Sequence, residues 1–85
     1  DPDASATYCV TMPAAGDDCP NGLTNLVIDG TPIVGGSWTS ANQAELESAL
    51  TDAGVNFSAV TWSGTSLEIR GKFNGSTPTA SYDCA

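Results

Sequence analysis

The stretch SWTSANQAELESALTDAGV, at residues 37–55, constrains the fold most, because its apolar residues recur with the period of a helix. One apolar stripe along this predicted helix contains Leu46, Ala49, Leu50 and Ala53. Ser40 is the predicted N-cap, and Gln43 completes the capping pattern three residues later. Gly54 is the predicted left-handed residue after the helix, and Val55 is expected to fold back onto Leu50. The stripe is narrow and rich in alanine, so the helix is expected to pack closely on a sheet.

Alternating apolar and polar residues ahead of the helix predict strands. The run ATYCVTM, at residues 6–12, is predicted to be a short strand, possible as an edge strand, with Tyr8, Val10 and Met12 on one face. Residues 23–28 predict a firmer strand. Asp29 and Gly30 then form a strong turn signal, and residues 32–34 resume an extended course.

A hairpin is predicted after the helix, with the turn at SGT, residues 63–65. In its first strand one face carries Ser58, Val60 and Trp62, and the other carries Phe57 and Ala59. In its second strand Leu67, Ile69 and Phe73 point one way, and Glu68, Arg70 and Lys72 point the other. This alternation predicts a sheet with one buried face and one solvated face. A closing strand is expected within ASYDCA, at residues 80–85.

These segments predict the order β–β–short β–α–β–β–β. The fold class is therefore α+β, with a small, mostly antiparallel sheet and one helix packed on a face. Eighty-five residues allow a single small domain. It divides into a turn-rich segment at 1–22, a strand–helix–hairpin core at 23–73 and a C-terminal segment at 74–85. Much of the apolar content is alanine, so we expect a disulfide or a neighbouring subunit to add stability.

Three cysteines and no histidine favour a disulfide over a metal site. Cys9 and Cys19 bracket VTMPAAGDD, a turn-forming stretch that can bring them together, so this pair is the first interpretation. Cys84 is the alternative partner of either cysteine, and the cysteine left over is free or linked to another chain. No CxxC spacing occurs, so no metal is expected.

The charge balance excludes several classes of partner. Ten acidic residues stand against Arg70 and Lys72, which gives a net charge of −8. Nucleic-acid binding needs clustered lysine and arginine, and anionic membrane surfaces repel such a chain. No apolar run approaches the roughly 20 residues of a membrane span. The expected partners are therefore proteins, with carbohydrate as a further possibility.

The chain offers little for catalysis. No histidine is present to act as a general base, and the serines and cysteines have no base partner. Glu45 and Glu47 are two residues apart on the helix and do not face each other. Asp17 and Asp18 lie in a loop that lacks the regular spacing of a calcium site. No enzyme activity, cofactor or metal is predicted.

The run from NLVIDGTPIV to SLEIRG, at residues 25–71, resembles small modules of tailed-phage virion structural proteins. In those modules a strand ending in an Asp-Gly or Asn-Gly turn precedes a short Ala/Leu helix, and a hairpin similar to TWSGTSLEI follows. The resemblance implies a non-enzymatic capsid-decoration, tail or fibre component in the virion. Its partners would be copies of itself, as a homo-oligomer, or a capsid or tail protein. Candidate interface residues are Tyr8, Val10, Met12, Trp38 and Trp62.

Two alternatives remain open, because three cysteines depart from what is expected of a virion assembled in a reducing cytoplasm. The first is a secreted, extracellular module that binds carbohydrate or protein. In such a module, sugar rings would stack on a surface formed by the aromatic residues Tyr8, Trp38, Trp62 and Tyr82. The second is a disulfide-stapled protease inhibitor that inserts the loop between Cys9 and Cys19 into a protease cleft.

Overall fold

A computed structural model of the chain describes residues 6–13, 18–63, 66–73 and 75–85. Within these residues the chain forms six strands and one α-helix, with a 3-10 turn at Ser40–Asn42 leading into the helix. The elements are β1 (Tyr8–Pro13), β2 (Leu23–Ile28), β3 (Thr31–Pro32), α1 (Gln43–Asp52), β4 (Phe57–Ser63), β5 (Ser66–Gly71) and β6 (Ala80–Cys84). The predicted order of elements and the α+β class are both confirmed. The predicted turns at 14–16 and 64–65, and Asp17, lie outside the described residues.

The strands divide into two antiparallel sheets rather than the one sheet expected. The hairpin sheet has the order β1-β5-β4, and the terminal sheet has the order β3-β2-β6. The first strand therefore joins the hairpin, whereas the last strand pairs with β2. Alternation along a strand reports which face is buried but does not report which strand lies beside it, so the division was not predicted.

Both sheets and the helix share one hydrophobic core. The helix contributes Leu46 and Leu50, which have no exposed surface, and Ala49 and Ala53 are half-buried beside them, as the stripe predicted. The remaining buried apolar residues are Met12, Cys19, Leu23, Leu26, Ile28, Ile33, Trp38, Val60, Leu67, Ile69 and Phe73. Burial of this set, rather than helix propensity, stabilises a helix as short as α1.

The predicted capping pattern is found one residue earlier, on the 3-10 turn that precedes the helix; α1 itself begins at Gln43, and it ends where predicted. Thr39, not Ser40, is the N-cap: its Oγ1 accepts from the Ala41 amide at 3.2 Å. The Asn42 side chain accepts from the Thr39 amide at 2.7 Å, so Asn42 plays the part assigned to Gln43. The cap moves because the first turn is a 3-10 turn.

A Schellman motif ends the helix. Gly54 has a φ of +79°, which only glycine adopts easily. The Val55 amide donates to the Leu50 carbonyl, and the Gly54 amide donates to the Thr51 carbonyl, each at 3.0 Å. These are the two bonds of the motif, so the predicted return of the chain onto Leu50 is confirmed.

The predicted turn after β2 is a tight two-residue hairpin turn. Asp29 and Gly30 both have positive φ, at 53° and 81°, and they connect the paired residues Ile28 and Thr31. Positive φ at both central positions defines the type I′ turn, whose twist matches that of the flanking strands.

A bulge in β4 corrects the predicted faces of that strand. The register with β5 shifts between Phe57 and Ala59, so that Phe57 lies opposite Gly71 and is half-buried against the core. Phe57 was predicted on the face opposite to that of Val60, yet both side chains pack against the core. A side chain at Gly71 would lie 2.5 Å from the Phe57 Cα, so only glycine permits this approach. Val60 is buried and Ser58 is exposed.

The disulfide joins Cys19 to Cys84, and the first interpretation, Cys9–Cys19, is wrong. Cys84 lies in β6 opposite Leu23 in β2, which brings it to a Cα–Cα distance of 4.9 Å from Cys19. Cys9 instead lies in β1 as an exposed free thiol. The pairing of β6 with β2 therefore selects the alternative partner.

Candidate functional site

The outer edge of β1 is the first candidate surface. In the register with β5, Val10 lies opposite Ile69, and Met12 lies opposite Leu67 on the face that packs on the core. Cys9 and Thr11 lie on the opposite, exposed face. No charged residue occurs between Tyr8 and Pro13, so the edge lacks the lysines and glutamates that often protect edge strands.

The backbone of this edge is open within the described part of the chain. Apart from the ladder with β5, residues 9–13 form no backbone–backbone hydrogen bond with another described residue. The opposite edge of the same sheet differs, because the Gln43 side chain in α1 donates to the Val60 carbonyl in β4 at 2.9 Å. The helix therefore occupies one carbonyl of the β4 edge, whereas no described residue forms such a bond along residues 9–13 of β1.

The two edge strands of the terminal sheet, β3 and β6, are less suited to strand addition. The strand β3 has only two residues. The strand β6 carries the charged Asp83, which accepts from Asn25 at 3.0 Å, and ends in the disulfide at Cys84. A charge in the middle of an edge strand opposes pairing with another chain.

The exposed face of the hairpin sheet carries both cations of this acidic chain, Arg70 and Lys72, and one of its acidic residues, Glu68. Arg70 and Glu68 form an ion pair of 2.8 Å beside Cys9 and Thr11. The hydrogen bond from Arg70 lowers the pKa of the Glu68 carboxyl below its ordinary value, and the Cys9 thiol contributes in the same direction. Lys72, the second cation of the chain, follows β5 directly and is exposed. The other described acidic residues lie elsewhere, at Asp18, Asp29, Glu45, Glu47, Asp52 and Asp83.

The structure uses the predicted interface residues mainly for the core. Met12 is 2% exposed and Trp38 is 4% exposed, so neither offers more than a small part of its side chain to a partner. Tyr8, Val10 and Trp62 are half-buried and pack against the core. Met12 in β1 and Trp62 in β4 both lie opposite Leu67 in the central strand β5. Trp38 does not join them: it forms an isolated backbone bridge with Leu23.

An open groove runs beside α1 and was not found from the sequence. It has a volume of about 680 Å³ and is lined by Pro32, Val34, Trp38, Ala44, Glu45, Ser48, Ala49, Asp52 and Ala53. Val34 is 84% exposed, and it is the large apolar side chain that stands out from the described surface. The one signal in the sequence was the apolar pair at residues 33 and 34 before two glycines, in which only Ile33 is buried. We call this surface the helix groove.

Among the described residues, neither surface has a cluster of metal-ligating side chains. The described residues contain no group of three or more His, Cys, Asp or Glu side chains that can hold a metal ion. Of the described helices, none is long and apolar enough to cross a membrane. All six aromatic side chains are buried or half-buried, which leaves little flat aromatic surface for a sugar ring.

Comparison of the chain with models of protein families, with curated proteins and with solved structures found no match in any of the three. The function is therefore inferred from the geometry of the two surfaces.

Proposed function

We propose that the protein is a non-enzymatic assembly module whose β1 edge adds to a strand of another protein chain, a second copy in the first instance. The observation that carries this proposal is an uncharged edge strand, β1, whose outer side is not bonded to another described residue, in a sheet whose other edge is partly occupied by the helix. The resemblance to virion modules supplies the setting, a capsid-decoration, tail or fibre component that binds copies of itself or a capsid or tail protein.

Strand addition suits the chemistry of this edge. An incoming strand would bond to the amides and carbonyls of residues 9–13 that point away from β5, and it would extend the three-stranded hairpin sheet. The half-buried side chains of Tyr8 and Val10 would lose their remaining exposed surface to a neighbouring strand. Main-chain bonds and apolar burial, rather than ion pairs, would hold the contact.

The charge of the molecule predicts how salt acts on this assembly. A net charge of −8 makes identical copies repel one another, most strongly at low ionic strength. Salt screens this repulsion without weakening backbone pairing or apolar burial. Self-association is therefore expected to strengthen as salt rises towards the physiological range, the reverse of an interface held by ion pairs.

Analytical ultracentrifugation across a series of protein and salt concentrations tests the proposal. Apparent mass is expected to rise with both. A species that stays monomeric throughout, and does not bind a shell protein, contradicts assembly. Dissociation on adding salt contradicts the proposed contact and indicates a basic partner docked by charge.

Two matched variants locate the contact. Thr11 in β1 and Thr61 in β4 are both exposed and both lie opposite Glu68, so a lysine at either position makes the same change in charge. Thr11→Lys is expected to weaken self-association, because a charge on the open edge strand opposes pairing with another chain. Thr61→Lys is expected to leave self-association unchanged. Equal effects of the two variants would show that β1 is not the contact.

The disulfide supports a second candidate, a secreted protein-binding module that uses the same edge. Cys19–Cys84 fits an oxidising compartment, where such bonds persist. In this case the partner is a different extracellular protein. The purified chain would remain monomeric in the ultracentrifuge, and Thr11→Lys would abolish capture of that protein. The protease-inhibitor alternative depended on a Cys9–Cys19 ring and is not proposed, because Cys19 is bonded to Cys84.

A further inference from the structure

We propose that the helix groove is a docking site for an extended, basic segment of a partner protein. This site goes beyond the assembly proposed above, because it lies on α1 and the chain before it and uses no residue of β1. Its partner differs as well, since a second copy of the chain is poorly suited to fill it.

The apolar part of the groove provides a place for one side chain of the partner. Val34 projects into solvent, and Pro32 stands beside it. The half-buried Ala49 and Ala53 of α1 also line the groove. An aliphatic side chain laid against Val34 would remove apolar surface on both sides from water. The small side chains of the helix allow the backbone of the partner to approach closely.

The charged part of the groove selects a basic partner. Glu45 and Asp52 are the charged residues among those that line it, and no lysine or arginine is among them. They are seven residues apart on α1, which places them about 10 Å apart along the helix axis. In an extended segment of polyproline II conformation, with three residues per turn, two lysines three residues apart lie on the same face about 9 Å from each other, close to the separation of the two carboxylates along the helix. An anionic ligand, such as a nucleic acid or an acidic membrane surface, would be repelled.

A second copy of this chain does not supply such a segment. Its two cations are Arg70 and Lys72. Arg70 lies in β5, the central strand of the hairpin sheet, and is paired with Glu68. A separate protein with a basic, partly apolar extended segment therefore fits the groove better than a copy of the chain does.

The probe for this site is the capped tetrapeptide Lys-Leu-Leu-Lys. A matched peptide with glutamates in place of the lysines is the first control. Amide NMR spectra report the binding, since Trp38 lines the groove and Trp62 lies in β4 outside its lining. The lysine peptide is expected to shift the Trp38 indole signal and to leave the Trp62 indole signal in place. The glutamate peptide is expected to shift neither.

Variants of the chain separate a built site from general attraction to an acidic surface. Glu45→Gln and Asp52→Asn are each expected to raise the Kd for the lysine peptide about two- to fivefold, the usual range for an exposed ion pair. Val34→Ser is expected to raise it about tenfold, as for the loss of one valine-sized contact. Glu47→Gln makes the same charge change on the same helix outside the groove lining and is expected to leave the Kd unchanged.

Three results would overturn the proposal. The first is no shift of the Trp38 signal at any peptide concentration. The second is an equal loss of affinity in Glu47→Gln and Glu45→Gln, which would indicate attraction to net charge alone. The third is an affinity for lysine amide equal to that for the peptide, which would assign the groove to small cations rather than to a protein segment.

Discussion

Gln43 Nε2 donates a hydrogen bond to the Val60 carbonyl oxygen at 2.9 Å, which ties the first turn of α1 to β4. The same amide also lies 3.3 Å from a Glu47 carboxylate oxygen. One side chain therefore connects the helix to the hairpin sheet and occupies part of the sheet edge that does not carry β1.

Replacing Gln43 with methionine is expected to lower the free energy of unfolding by about 1 kcal/mol, because the change keeps the length of the side chain and removes the donor. Urea unfolding measures this. Glu47→Met is the control, since it removes only the longer of the two contacts made by Gln43. Equal losses in the two variants would show that the bond to Val60 contributes little.

Leu50→Ala is expected to lower the free energy of unfolding by about 2 to 5 kcal/mol, because Leu50 has no exposed surface and its removal leaves a cavity. Ser48→Ala, at an exposed position two residues earlier, is expected to cost less than about 0.5 kcal/mol. Chemical denaturation followed by circular dichroism compares them. A similar cost for both would contradict the assignment of the buried helix face.

Loss of the disulfide is expected to destabilise the protein by about 4 kcal/mol, because the bond joins two residues that are 65 positions apart and so closes a long loop. Peptide mapping without reduction should recover Cys19 linked to Cys84 and Cys9 as a free thiol. Cys84→Ser should lower the melting temperature strongly, whereas Cys9→Ser should change it little. A linked Cys9–Cys19 peptide would contradict the structure.

Gly71→Ala is expected to cost about 1 to 3 kcal/mol through overpacking, because a Cβ at this position would overlap the Asn56 carbonyl oxygen and lie 2.5 Å from the Phe57 Cα. Gly30→Ala tests a different effect, since Gly30 has a positive φ of 81° and nothing within 4 Å of the added Cβ. Its cost should be about 1 to 2 kcal/mol and arise from the backbone alone. Crystal structures of both variants would distinguish them: β4 should shift near Phe57 only in Gly71→Ala.

The ion pair on the hairpin sheet predicts a pH dependence of stability. Because Arg70 lowers the pKa of Glu68 in the folded state, the pair stabilises the fold above the ordinary pKa of a glutamate. That contribution is lost as the pH falls through the lowered value. NMR titration of the Glu68 carboxyl in the native chain and in Arg70→Gln should show the pKa return towards its ordinary value. An unchanged titration would show that the pair is not formed in solution.

Most of the local structure was predictable because neighbours along the chain determine it. The apolar stripe of α1, the glycine that ends the helix and the two-residue turn at Asp29 and Gly30 each follow from backbone preferences within a few residues. The burial of Leu67 and Ile69 follows from the alternation along β5.

The candidate surfaces were less predictable, because each depends on what is packed beside it. The apolar residues of β1 were predicted to form an interface, but the hairpin sheet turns Met12 into the core and leaves only the strand edge accessible. Ile33 and Val34 are neighbouring aliphatic residues of similar character, yet Ile33 is buried and Val34 is exposed. The helix groove exists only because α1 lies beside that exposed valine.

The sequence by itself determined the types of the elements, their order and the α+β class, since propensity, capping and alternation act over a few residues. Tertiary structure alone decided that β6 pairs with β2, and hence that Cys84 rather than Cys9 reaches Cys19. It also decided that a bulge turns Phe57 inward over Gly71. The physical reason is that any of these strands can hydrogen-bond to any other through the same backbone groups, so their partners are selected by how the whole core packs.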